Sequence, residues 1–187
     1  MHLSVSNVVK PVAPQAPLRE RKVWVPRMPA GSARAFAACF RSLGIDAEEL
    51  PPSDERTREL GGRHTCGDEC YPMKVTLGDF LKLLEQPGTR PERMALFMPT
   101  GQGPCRFGQY SVHLKRVFTS LGYPEVSVLS PVCETSYDEV GEFASGFVRT
   151  TWRALVAGDI LLKLLLQTRP YEKETGSSDA AYDACVE

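Results

Sequence analysis

KVWVPRMPAGSARAFAACFRSLGIDAEELPP, residues 22–52, holds three elements in one short run. Lys22 to Pro26 is apolar and β-branched and is closed by a proline, which reads as a short buried strand. Ser32 stands where a helix N-cap is expected. From Ala33 to Leu43 the chain is alanine-rich, with apolar residues at helical spacing, and Gly44 follows as a stop. Asp46 to Leu50 reads as a second strand, ended by Pro51 and Pro52. Strand, helix and strand with tight connections imply a parallel pair with a right-handed crossover.

The same alternation continues outward. Asp54 to Leu60 is expected as a short helix ended by Gly61 and Gly62, followed by a loop to Tyr71. Pro72 suits the first turn of a helix, and Val75, Leu77, Phe80, Leu81 and Leu84 form a helical stripe within Met73–Glu85. Pro87 to Pro91 is a turn. Met94 to Met98 is an apolar strand closed by Pro99, and Thr100 to Pro104 is a glycine-rich loop. Phe107 to Leu121 reads as a helix stopped by Gly122, and Val126 to Leu129 as a further strand. Tyr137 to Leu166 reads as one or two helices, the run Ile160–Leu166 as buried, and Gln167 to Glu187 as a polar tail. The expected fold class is α/β: a Rossmann-like parallel sheet with helices on both faces. Residues 1–21, with Pro11, Pro14 and Pro17, read as a flexible N-terminal tail, and 22–187 as one α/β domain or a fragment of a larger protein.

Bulk properties narrow the function. A net charge of −1 with no basic patch argues against nucleic acid as partner. The longest apolar run, broken by Lys163, falls short of the roughly 20 residues of a membrane span. No secretory signal pattern opens the chain, so a cytoplasmic location is expected. In a reducing compartment the six cysteines are metal ligands, redox groups or small core residues rather than a disulfide framework.

Two of them sit where a parallel sheet binds ligands, beyond the carboxyl ends of its strands. Cys70, in Cys66-Gly67-Asp68-Glu69-Cys70-Tyr71-Pro72, precedes the helix that Pro72 opens. A helix N-terminus carries partial positive charge and free N–H groups, which favour a thiolate and can bond cluster sulfides. Cys105, in Gly103-Pro104-Cys105-Arg106-Phe107-Gly108-Gln109-Tyr110, follows a strand and begins the next helix in the same way. Arg106 is placed to neutralise negative charge there. The loop lacks the lysine and hydroxyl of a phosphate-binding P-loop. Cys66 is close enough to join the site, and Cys133 follows the last strand as a further candidate. His64 could serve as an imidazole ligand. Asp68 and Glu69 read as caps of the following helix and His113 as a packing or solvated residue. Cys39 lies among Ala37, Ala38 and Phe40 and reads as core, and Cys185 as an inert tail residue. No catalytic triad and no zinc-ribbon spacing is present.

These motifs resemble the acyl-CoA dehydratase activase-related proteins, linked to 2-hydroxyacyl-CoA dehydratase and benzoyl-CoA reductase systems. The resemblance rests on Gly67-Asp68-Glu69-Cys70-Tyr71-Pro72, Phe97-Met98-Pro99-Thr100 and Gly103 to Tyr110. It runs on through Gly78-Asp79, Ser130-Pro131, Trp152, Gly158-Asp159 and Arg169-Pro170-Tyr171-Glu172. Such proteins join an actin-type ATPase region to one similar to cluster-bearing dehydratase subunits, and this chain resembles the latter.

The resemblance implies an iron–sulfur cluster of the 4Fe-4S type on Cys70 and Cys105, passing low-potential electrons. It also implies an ATPase activase domain, or a CoA-ester dehydratase or reductase, as partner. Cys66 stands where the family pattern has serine, and Cys133 has no clear counterpart. Since such a cluster takes four protein ligands, the remainder would come from Cys66, Cys133, a missing segment, a non-protein ligand or a second copy in a homodimer. Two other readings use the same fold: a binding or regulatory module for nucleotide or CoA with structural cysteines, and a dehydratase-type enzyme in its own right.

No Asp-x-Gly-x-Thr phosphate motif accompanies these elements. The chain alone should therefore not hydrolyse ATP. A malachite-green assay on the purified chain should read background, and phosphate release abolished by substituting one of its own residues would refute this.

Overall fold

The computed structural model describes residues 17–27, 30–101, 103–131, 141 and 144–186. Four strands form one parallel sheet in the order β2-β1-β3-β4: β1 (Lys22–Val25), β2 (Ala47–Glu49), β3 (Met94–Phe97) and β4 (Ser127–Leu129). Register follows Val23 against Ala47 and Ala95, and Leu96 against Val128. The helices are α1 (Ala30–Ser42), α2 (Glu55–Arg63), α3 (Tyr71–Leu84), α4 (Tyr110–Ser120), α5 (Ala144–Thr168) and α6 (Ser177–Val186). The expected α/β sheet with helices on both faces is the fold observed.

Strand alternation sorts the core into two layers. Val23, Val25, Ala95, Phe97 and Leu129 face α1 and α5, where Phe36, Phe40 and Phe147 surround Phe97 with ring centroids 5.2, 5.4 and 6.0 Å away. Met94, Leu96, Met98 and Val128 face the other way, onto Leu77, Phe80, Leu114 and Phe118 of α3 and α4. All four residues of β3 are buried, as expected of an interior strand covered on both faces. Chain direction diverges between β1 and β3: β1 leads outward to β2, and β3 leads the other way to β4. Ligand crevices form at such a switch point, outside the carboxyl ends of the strands.

Several boundaries differ from expectation. Ser32 lies inside α1, which begins two residues earlier, and it is buried. The tail expected over 1–21 falls outside the described residues up to position 16, but Leu18–Glu20 make a 3-10 turn. Arg21 is buried and donates to the Met94 carbonyl at 3.3 Å. The polar stretch after Gln167 contains α6, which packs on α5 and α1. The Ile160–Leu166 run is largely exposed, with Leu165 alone of its residues buried.

Gly61 and Gly62 do not end α2; they are part of it. Gly61 packs against the backbone of α3, where an added Cβ would lie 2.0 Å from the Lys74 carbonyl oxygen. Gly78 of α3 does the reverse, with the Thr57 oxygen 1.9 Å from its missing Cβ. The pairing of 61 with 74 and 57 with 78 makes α2 and α3 an antiparallel hairpin in backbone contact. Asp79 locks it from inside: buried, it accepts from Thr57 Oγ1 and Ser53 Oγ, each at 2.7 Å. Asp54 caps α2 by accepting from the Thr57 amide, while the Asp54 amide donates to Thr57 Oγ1.

Gly78→Ala should cost about 2 kcal/mol or more, because the new methyl meets backbone that cannot swing aside. Gly62→Ala, with nothing within 4 Å of the new carbon, should instead gain about 0.5–1 kcal/mol of helix propensity. Urea unfolding midpoints of the two variants should move in opposite directions.

Candidate metal centre

The hairpin delivers the N-terminus of α3 to the carboxyl edge of the sheet. Cys70 is the N-cap residue, its backbone extended at φ −67° and ψ 153°, and its carbonyl accepts from the Met73 and Lys74 amides. Its side chain makes no capping bond to those amides. Sγ lies 2.7 Å from the hydroxyl of Tyr110, the first residue of α4. With the sulfur ionised, the phenol is the donor.

The thiol is held below its ordinary range. The Tyr110 hydrogen bond is the largest cause, the Met73 and Cys70 backbone N–H groups add to it, and Arg106 contributes positive charge; burial works against them. Tyr110 is pushed the other way, first by burial, then by its bond to Cys70 and the negative charge of Cys70 and Cys105. Both sulfurs thus lie within electrostatic reach of one buried hydroxyl.

Cys105 is exposed and heads a 3-10 turn, Arg106–Gln109, that runs on into α4. The expected helix start at Phe107 is therefore displaced: the turn comes first, and α4 begins at Tyr110. Its loop depends on glycine at two points. Gly103 has φ +110°, and a Cβ on Gly108 would meet the Gly101 carbonyl oxygen at 2.5 Å. Thr100 Oγ1 donates to the Gly108 carbonyl at 3.2 Å, Phe107 meets the Tyr110 ring edge-on at 5.3 Å, and Arg106 donates to the Asp68 carbonyl. The two cysteine-bearing loops are thereby tied together.

A cleft of about 230 Å³ opens beside Cys70, lined among others by Glu69, Arg106, Gln109, Tyr110 and His113. Glu69 does not cap α3 as expected. Its carboxylate accepts from the Cys66 and Gly67 amides at 2.9 and 3.1 Å, and it is held below the usual carboxylate range first by its own backbone N–H and then by those two amides. Nor does Asp68 cap α3, whose N-cap is Cys70. His113, expected to be merely packed or solvated, borders the cleft, and its buried Nε2 has no hydrogen-bond partner among the described residues.

The other candidates disperse. Cys66 is exposed and does not line the cleft. His64 is the C-cap of α2. Cys39 is buried, and burial raises its thiol. Cys185 is exposed on α6, and Cys133 lies outside the described residues. Among the described residues no three His, Cys, Asp or Glu side chains converge as a metal-binding group. Sequence reading missed Tyr110 and His113 because a donor aimed at a sulfur from a separate helix leaves no local spacing signal. Comparison with protein families, curated proteins and solved structures returned no match.

In kind, two cysteine sulfurs beside a helix start and an arginine suit an iron–sulfur cluster, of which Cys70 and Cys105 would be two ligands. What these residues do unaided is favour the thiolate form of Cys70. Tyr110→Phe should remove the main stabiliser of that anion and shift the pH midpoint of Cys70 alkylation by iodoacetamide upward. Arg106→Ala should shift it in the same direction by less. Peptide mapping by mass spectrometry separates Cys70 from exposed Cys66 and Cys105.

Proposed function

We propose that the chain is an iron–sulfur redox module whose cluster is held by Cys70 and Cys105 and which passes low-potential electrons to a CoA-ester dehydratase or reductase system. The carrying observation is the Cys70 thiol, favoured as thiolate by the Tyr110 hydroxyl at the N-terminus of α3. The resemblance of the flanking motifs to cluster-bearing dehydratase subunits supports the same reading. When bound, the cluster would supply one-electron transfer.

The chain's own residues have separable roles in this proposal. Cys70 and Cys105 are ligands. Tyr110 donates to the Cys70 sulfur, which would draw charge off it and set the potential higher than the ligands alone would. Arg106 offsets the negative charge of a thiolate-bound centre and joins the two loops through the Asp68 carbonyl.

Anaerobic reconstitution with iron and sulfide should give a brown protein. Cys70→Ser or Cys105→Ser should each lose most of its iron, since serine is a poor ligand for a soft centre. Cys39→Ser should keep it. Tyr110→Phe should retain iron but show a more negative midpoint potential in an electrochemical titration. Full iron in both Cys70→Ser and Cys105→Ser, or no uptake by wild type, refutes the proposal.

A further inference from the structure

We draw no further inference here: the strongest candidate, the exposed apolar ridge of α5 formed by Val148, Trp152, Val156, Ile160 and Leu164, carries none because nothing in the structure shows what covers it.

Discussion

At Gly78 the carbonyl oxygen of Thr57 occupies the place where any other residue would carry its Cβ. Two helices in backbone contact cannot slide or rotate without breaking that fit, so the contact fixes where α3 starts. The reciprocal contact at Gly61 and the Asp79 bonds to Ser53 and Thr57 hold the hairpin from both sides. The consequence lies at the other end of the helix. Cys70 arrives at the carboxyl edge of the sheet with its sulfur on the Tyr110 hydroxyl. The Gly78-Asp79 pair thus acts on the candidate site through helix geometry, with no contact to it.

Around Cys70 several weak effects point the same way. A partly exposed thiol in water gains little from any one of them, but a phenol donor, amides at a helix start and a nearby guanidinium all favour the anion. The opposed movement of Tyr110, driven first by its burial, keeps that phenol protonated and hence available as a donor. The arrangement needs Tyr110 to be buried and at the first position of α4. The 3-10 turn after Cys105 achieves this by carrying the chain from an exposed cysteine to a buried tyrosine in five residues.

β1, β3 and β4 were legible because each is a short β-branched or apolar run soon followed by proline, as at Pro26 and Pro99, whereas β2, Ala47–Glu49, was legible from its place between α1 and the Pro51-Pro52 stop. The misreadings share a cause. Gly61 and Gly62 read as a helix stop because glycine is a poor helix former alone, and only a tertiary neighbour, Lys74, makes Gly61 the residue required there. Ser32 resembles a cap in isolation, yet α1 begins earlier and buries it. Glu69 sits one residue before the N-cap, and its carboxylate turns back onto its own loop rather than forward onto α3. For the candidate site, Cys70, Cys105 and Arg106 were visible as motif residues. Tyr110 and His113 became relevant only when α3 and α4 were brought together.

The two faces of the sheet bear on how a cluster could be completed. The cleft and both candidate thiols belong to the layer of α3 and α4, while the exposed ridge of α5 belongs to the other. Further ligands would come from nearer the site or from another molecule; Ser130 and Pro131 leave the same carboxyl edge after β4, and Cys133 follows them in sequence. Cys133→Ser discriminates between these sources. Loss of iron in that variant, with the circular dichroism of the wild type, would make Cys133 a ligand. Unchanged iron in both Cys133→Ser and Cys66→Ser would assign the remaining coordination to a partner protein or a small molecule.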